Sequence, residues 1–164
     1  MDRHEVDPYS LSYPFVLADG DLYRMYYGSN LKWGSEQRDM DHLIKYAYSK
    51  DAINWIREGH IAINFKNDSE YAMSKPCVLK EDGIYKMWYS YRGAAYRIGY
   101  AESDDAVNWI RKDDEVGITV SDAAWDSETI EYPFVFNHQG SKFMFYNGNK
   151  YGATGFGLAI SKQV

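Results

Sequence analysis

The stretch that decides the fold lies between residues 75 and 111 and contains KPCVL (75–79), DGIYKMWY (82–89), IGYAESDD (98–105) and NWIR (108–111). The same four segments occur earlier as YPFVL (13–17), DGDLYRMYY (19–27), IKYAYSKD (44–51) and NWIR (54–57). A third, shorter copy reads YPFVF (132–136), QGSKFMFY (139–146) and FGLAISK (156–162). A unit that recurs about every 50–60 residues is typical of a solenoid, a propeller or an array.

A full copy contains four short runs with the pattern of β-strands. The proline opens the first run, where its missing N–H removes no ladder hydrogen bond, and an Asp-Gly pair marks the hairpin turn that follows. The second run is apolar at almost every position, as in a strand covered on both faces, whereas the fourth alternates into charged positions, as in an outer edge strand. Four antiparallel strands per repeat describe a blade, so we predict an all-β partial β-propeller. A β-sandwich is the competing fold, but it does not explain the repeat.

The number of repeats is small for a closed ring, because propellers close with about four or more blades. The third copy has no fourth run, and residues 3–6 resemble the segment that ends the second copy. Two expectations follow: the chain is the C-terminal part of a larger propeller, or copies associate as a homo-oligomer that completes the ring. We predict a single partial domain over 1–164, with repeats at about 13–63, 75–120 and 132–164 and an edge or closing strand within 1–12.

Composition narrows the range of functions. Aromatic residues make up 17% of the chain, with 16 Tyr and 5 Trp, which favours strands and suits sugar binding, because aromatic faces stack on sugar C–H surfaces. The net charge of −6 argues against a nucleic-acid partner. Neither a signal peptide nor a transmembrane stretch is visible, so no membrane partner is expected and a cytoplasmic location is the default. The single cysteine, Cys77, excludes an intrachain disulfide and is expected to be buried.

The repeat motifs Pro-x-Val, Asp-Gly-x-Tyr-x-Met-x-Tyr, Ile-x-Tyr-Ala-x-Ser-x-Asp and Asn-Trp resemble the five-bladed propeller glycosidases of the arabinanase, β-xylosidase, invertase and levansucrase superfamily. More narrowly, the chain is similar to the C-terminal part of uncharacterised "glycosylase" proteins of about twice its length. The resemblance covers residues 13–162. It implies a central funnel lined by the first strand of each blade, and catalysis by two Asp and one Glu beside the strand prolines.

Acidic residues are the first candidates for chemistry, because glycoside hydrolysis needs one protonated and one ionised carboxyl group. Glu131 precedes Tyr132-Pro133, resembles the Glu of the superfamily's acid strand, and is replaced by serine in the other copies. We predict it as the catalytic acid, with a solvated strand-start carboxylate as the alternative. Three aspartates precede the strand prolines at similar distances and are candidates either for a ring of funnel carboxylates or for turn caps: Asp7, Asp68 and Asp126.

Candidate substrate-binding residues lie beside the strand prolines or just after the second runs. Lys75 and Arg92 are expected to bind a substrate carboxylate or hydroxyl group. The remaining candidates are amides for sugar hydroxyls and loop tryptophans for stacking: Asn30, Asn147, Asn149, Trp33 and Trp125. The histidines show no metal-ligand spacing and no phosphate-binding glycine loop is present, so neither a metal nor a cofactor is predicted.

Two functions fit these residues. The first is a glycoside hydrolase-like protein that acts on or binds a glycan through the funnel. The second is a non-catalytic carbohydrate-binding or assembly module on the same scaffold. Carbohydrate is the expected partner of both the enzyme and the binding module.

Overall fold

The computed structural model describes residues 1–36 and 39–162. Within these ranges the elements are β1 (Leu11–Asp19), β2 (Leu22–Asn30), β3 (His42–Ser49), β4 (Ile61–Ile63), β5 (Ala72–Glu81), β6 (Ile84–Arg92), β7 (Tyr96–Ser103), β8 (Ile110–Arg111), β9 (Glu131–His138), β10 (Ser141–Asn147), the one-turn helix α1 (Asn149–Gly152) and β11 (Phe156–Lys162).

The strands form three consecutive blades within the described part of the chain. Blade 1 contains β1–β4, blade 2 contains β5–β8, and blade 3 contains β9–β11, with antiparallel neighbours inside each blade. Blades 1 and 2 join where His42 pairs in parallel with Ala72. The predicted, nearly all-β partial propeller is confirmed. The short helix α1 was not predicted; it occupies a glycine-rich hairpin in which Lys150 and Tyr151 adopt left-handed φ angles of 56° and 61°.

Each blade packs one face against the next blade in the chain. Tyr26 and Tyr46 of blade 1 lie in one core cluster with Met87 of blade 2. The equivalent blade 2 side chains, among them Trp88, join Met144 of blade 3 in a second cluster, which also contains the buried Cys77. Burial of these aromatic and aliphatic side chains is the main force that holds the blades together.

The first strand of each blade is bulged at its proline. Strand registers shift between Ser12 and Phe15, between Ser74 and Cys77, and at the matching point of blade 3. The residue before each proline adopts a left-handed φ: 52° at Tyr13, 52° at Lys75 and 60° at Tyr132. Side chains with a Cβ rarely adopt this conformation, so its occurrence at three matching positions is a property of the blade itself.

A buried ion-pair network closes blade 2. Arg111 bonds Glu70 through Nη1 at 2.7 Å and Asp113 through Nη2 at 2.8 Å, and the Tyr89 hydroxyl donates to Asp113 at 2.6 Å. Arg111 comes from the Asn-Trp-Ile-Arg motif, and Glu70 comes from the segment that leads into β5. The network therefore joins the outer edge of the blade to its inner strand.

The outward face of blade 3 exposes aromatic side chains at positions where blades 1 and 2 have buried or partly buried apolar residues. Phe134 is 56% exposed and Phe156 is 72% exposed. Phe136 stacks against Phe143 and Phe145, with ring centroids 5.5 and 6.0 Å apart. A contiguous apolar face of this kind is typical of an interaction surface.

Removal of the Arg111 side chain is expected to destabilise the protein strongly. Arg111→Met leaves Glu70 and Asp113 buried without their cation, and breaking a buried pair in this way costs about 3–5 kcal/mol. Urea unfolding followed by tyrosine and tryptophan fluorescence measures the loss, with the exposed Arg3→Met as the control. A loss below about 1 kcal/mol would contradict this role.

The exposed face of blade 3 predicts concentration-dependent self-association. Sedimentation velocity over a range of protein concentrations is expected to show larger species for the wild type, and Phe134→Lys with Phe156→Lys is expected to shift the distribution to the monomer. Ile110→Lys, at a position of blade 2 that is 70% exposed, is the control. Identical distributions for the double variant and the wild type would show that this face does not mediate association.

Candidate functional site

The three side chains that precede the blade prolines converge on one another. The Lys75 ammonium lies 4.9 Å from the centre of the Tyr13 ring and 5.5 Å from that of Tyr132. The two rings lie 6.3 Å apart. Left-handed backbone at these positions turns the side chains out of the strand alternation. Because each comes from a different blade, their contact brings all three blades together at this point.

Glu131 is the first residue of β9 and lies directly before this cluster. Its side chain is almost completely buried, with the residue 1% exposed. Neither carboxyl oxygen has a hydrogen bond of ordinary geometry among the described residues. Burial raises the pKa of Glu131 to about 7, and this rise is opposed by a nearby backbone N–H of Tyr151 and by the positive charge of Arg92. A carboxyl group of this kind exchanges a proton near neutral pH, as a general acid must.

A cleft of about 310 Å³ opens beside Glu131. Its polar and aromatic wall contains Arg92, Tyr96, Glu128, Glu131, Lys150 and Tyr151. Arg92 donates through Nη1 to the Tyr151 hydroxyl at 2.6 Å, and its guanidinium lies 5.0 Å from the centre of the Tyr96 ring. The cleft thus combines ring faces, cations and a carboxyl group of raised pKa.

Asn147 and Asn149 bond the backbone of residues that line the cleft. The Asn147 amide donates to the backbone oxygen of Tyr151 at 3.1 Å. The buried Asn149 accepts hydrogen bonds from the backbone N–H groups of Glu128 and Thr129 at 2.7 and 3.0 Å. Both amides are therefore engaged with the backbone. We assign them to holding the two segments that carry Tyr151 and Glu131.

The other predicted polar and tryptophan positions lie away from this cleft. Asn30 is buried, with its amide bonded to Ser10 and to the Met40 carbonyl. Trp33 is 60% exposed in the loop after β2 and is not part of the cleft wall. Trp125 stacks on Tyr146 at 5.5 Å.

The Trp125 ring lies directly against the backbone of two glycines of blade 3. A Cβ added at Gly148 would lie 2.3 Å from the Trp125 ring, and one added at Gly157 would lie 2.4 Å from it. Such approaches are possible only for glycine. The geometry indicates that Trp125 serves packing.

The three aspartates of the crossing segments do not form a common cluster with Glu131. Asp7 is fully buried and pairs with Lys45 and Arg57. Burial acts to raise the pKa of Asp7, but hydrogen bonds from Ser29, Lys45 and Tyr27 and the charge of Lys45 lower it below its ordinary value. Asp126 is buried and accepts a hydrogen bond from Tyr146 at 2.9 Å. Asp68 is exposed. The contacts of the two buried aspartates indicate a structural role.

Reasoning from the sequence missed most of the aromatic wall. Tyr13 and Tyr132 occupy the same pre-proline position as Lys75, so the argument that selected the lysine applies equally to them. Lys150 and Tyr151 lie in a hairpin that has no counterpart in the other repeats. Position outside the repeat was the reason for selecting Trp33 and Trp125, and the same reason applies to these two residues. Tyr96 and Glu128 carry no comparable signal.

Two features are absent from residues 1–36 and 39–162, a metal-binding group of side chains and a membrane-spanning helix. No group of three His, Cys, Asp or Glu side chains there is arranged to hold a metal ion. None of the described helical segments has the length and apolar character needed to span a bilayer.

The chain is similar in sequence to an uncharacterized protein and to an enzyme of known activity. No model of a known protein family matches the chain. The uncharacterized protein Rv1502 of Mycobacterium tuberculosis (strain ATCC 25618 / H37Rv) is 47% identical over 156 residues, which are 95% of this chain and 52% of the relative. The chain therefore spans about half the length of this relative. A 1,2-beta-oligomannan phosphorylase of Thermoanaerobacter sp. (strain X514) is 32% identical over 99 residues, which are 57% of this chain and 33% of the relative.

Solved structures match over almost the whole chain. Zg3597, a family 117 glycoside hydrolase of Zobellia galactanivorans, superposes with a TM-score of 0.72 and 20% identity, over 99% of this chain and 56% of that one. The chain has the β-propeller fold of glycoside hydrolases. A thermostable family-43 glycoside hydrolase likewise gives a TM-score of 0.72 at 19% identity, over 98% of this chain and 55% of that one. The predicted resemblance to the propeller glycosidases is confirmed at the level of fold.

The raised pKa of Glu131 predicts a specific dependence of stability on pH. The folded protein holds this proton up to about pH 7, whereas an ordinary glutamate loses it near 4.5. The stability contributed by the protonated group is complete below pH 4.5 and is lost as the pH rises through 7. In Glu131→Gln this loss is absent, so the variant is expected to gain on the order of 3 kcal/mol relative to the wild type between pH 4.5 and 8.

Urea unfolding at several pH values measures this difference, with the exposed Glu58→Gln as the control. The charged and titratable groups that face Glu131 are Arg92, Tyr96, Tyr132 and Tyr151. The pKa values of Arg92, Tyr96 and Tyr132 are raised further above this range, so these three groups do not contribute to the change. Parallel stability curves for the variant and the wild type would show that Glu131 titrates at its ordinary value.

Proposed function

We propose that the cleft beside Glu131 binds a glycan and that Glu131 acts on the glycan as a proton donor. The observation that carries this proposal is a buried carboxyl group of near-neutral pKa at the wall of an aromatic cleft. The glycoside hydrolase fold supports a carbohydrate as the ligand class, although fold alone does not establish an activity.

The rings give the cleft a means to hold a sugar. Tyr96 and Tyr151 lie 5.7 Å apart and steeply inclined to each other, and the Tyr132 ring lies 6.0 Å from Tyr96 and 6.4 Å from Tyr151. Tyr151 is 52% exposed, so its ring is accessible to a ligand. Faces of this kind pack against the C–H surface of a sugar ring, while Arg92 and Lys150 supply hydrogen-bond donors.

Proton donation follows from the state of Glu131. A sugar displaces water from the cleft beside the carboxyl group, which disfavours the charged form further and keeps the proton in place. Transfer of that proton to a glycosidic oxygen assists departure of the leaving group. Arg92 has the opposite effect on the carboxyl group, since its charge favours the ionised form that remains after transfer.

Hydrolysis needs a second carboxylate, and Glu128 is our candidate for it. Glu128 is exposed, lines the same cleft, and has its backbone held by Asn149. An exposed carboxyl group is in contact with water and is therefore placed to activate a water molecule. The pair combines a buried carboxyl group of raised pKa, Glu131, with an exposed one, and such a difference in surroundings is what acid–base catalysis uses.

Glycan binding without turnover is the second candidate function. It is favoured because the chain spans only about half of its mycobacterial relative, so a catalytic set in that relative can include residues that have no counterpart here. In this case the rings and cations of the cleft act as a binding surface, and Glu131 contributes a hydrogen bond.

Substitution of Glu131 distinguishes the two functions. On a panel of nitrophenyl glycosides and oligosaccharides, Glu131→Gln is expected to lower turnover by at least about 100-fold, because general acid catalysis contributes roughly 10²–10⁴. Binding of the same sugars, measured by tyrosine fluorescence, is expected to change little, because Gln has nearly the same size. Glu128→Gln is expected to lower turnover similarly.

The exposed Glu58→Gln, outside the cleft, is the control and is expected to match the wild type. Unchanged turnover in Glu131→Gln would exclude it as the proton donor. Binding without turnover by the wild type would favour the second function. A protein that binds none of the sugars in the panel would contradict both.

A further inference from the structure

Two cations of this region have no carboxylate partner. Lys75 and Arg92 make no ion pair within 4 Å in the described ranges, whereas cations such as Arg24, Lys45 and Arg111 each pair with a carboxylate. The overall charge of the chain is −6, so acidic residues are in excess. Among the described residues, these two cations are therefore unpaired although the chain has an excess of acidic residues.

Aromatic rings hold both cations in place without neutralising them. Lys75 lies over Tyr13 and Tyr132. Arg92 lies over Tyr96 and Tyr151, at 5.0 and 6.0 Å from their ring centres. A cation held by ring faces keeps its full charge and its hydrogen-bond donors. Both side chains are thus oriented in advance for a further partner.

Arg92 has an unused donor inside the protein. Its Nε is buried and makes no hydrogen bond among the described residues, while its Nη1 donates to the Tyr151 hydroxyl. A buried donor without a partner is unfavourable by roughly 1–3 kcal/mol in general. The fork of a guanidinium group matches the two oxygens of a carboxylate or a phosphate.

The remaining charges of the cleft favour the same kind of ligand. Lys150 lines the cleft together with Arg92, and Glu128 is the exposed acid of the cleft wall. Glu131 is uncharged when protonated, so it presents a donor rather than a negative charge. The cleft wall is therefore positive overall in that state.

We propose that Arg92, on the cleft wall, recognises an anionic group on the glycan, a carboxylate or a phosphate, and that Lys75, at the neighbouring ring cluster, contributes to binding of the same ligand. This inference rests on the proposed function, because it assigns the substrate class of the same cleft. The rings of Tyr132, Tyr96 and Tyr151 contact one another and connect the two cations. A ligand that touches both cations therefore extends across these rings, as a sugar with an attached acidic group does.

Calorimetric titration tests the proposal with three probes: glucuronate, glucose and inorganic phosphate. Glucuronate is expected to bind at least about tenfold more tightly than glucose, and its affinity is expected to fall as salt is added. Lys75→Met is expected to weaken glucuronate binding about tenfold or more, and Lys75→Arg is expected to retain most of it. Lys50→Met, at an exposed lysine of blade 1, is the matched control.

The outcomes separate this proposal from the proposed function. Glucose and glucuronate binding equally well, with Lys75→Met unchanged, would overturn the anionic preference and leave glycan binding intact. Phosphate binding that Lys75→Met abolishes, without binding of either sugar, would support the anion site with phosphate as its source and contradict the proposed function. No binding of either anion would overturn the proposal. If Arg92→Gln binds glucuronate as tightly as the wild type does, Arg92 does not recognise the anionic group.

Discussion

The left-handed backbone at the residue before each strand proline is the constraint on which the site depends. Side chains of a regular strand alternate between its two faces, so in a regular blade strand each side chain points to one face or the other. A positive φ at Tyr13, Lys75 and Tyr132 breaks this alternation and turns the three side chains toward one another. Such backbone costs roughly 1–3 kcal/mol per residue and persists only where its surroundings impose it. Here it coincides with the strand bulge in all three blades, and in blade 3 a hydrogen bond to the neighbouring blade holds it.

The same bulge explains the environment of Glu131. The Tyr132 backbone N–H donates to the buried Ser90 hydroxyl of blade 2 at 2.7 Å, which anchors the bulge of blade 3 to its neighbour. Glu131, one residue earlier, is thereby held in the space between blades 2 and 3, where solvent is excluded. Desolvation raises its pKa, and Arg92 limits the rise. The electrostatics of the site thus follow from how two blades meet.

The sequence predicted the blade scaffold, because hydrophobic alternation, turn glycines and strand prolines are local signals that recur in every copy. It also singled out Glu131, Lys75 and Arg92, which the structure places around one aromatic cluster. It did not predict the roles of Asn149 and Trp125, since a backbone-bonded amide and a packed indole look the same in sequence as a ligand-binding amide and a stacking platform. Asp7 illustrates the same limit: its partners Lys45 and Arg57 come from distant parts of the chain.

The amino-acid sequence by itself determined the repeat, the strand order and the identity of the acid that departs from the repeat. These follow from periodicity and from comparison of one copy with another, which need no knowledge of distances. Only the tertiary structure decided that Glu131 is buried, that Arg92 lies near it, and that Tyr96, Tyr132 and Tyr151 form the wall. Burial and charge proximity depend on contacts between blades, and residues far apart in the chain carry no local mark of such contacts.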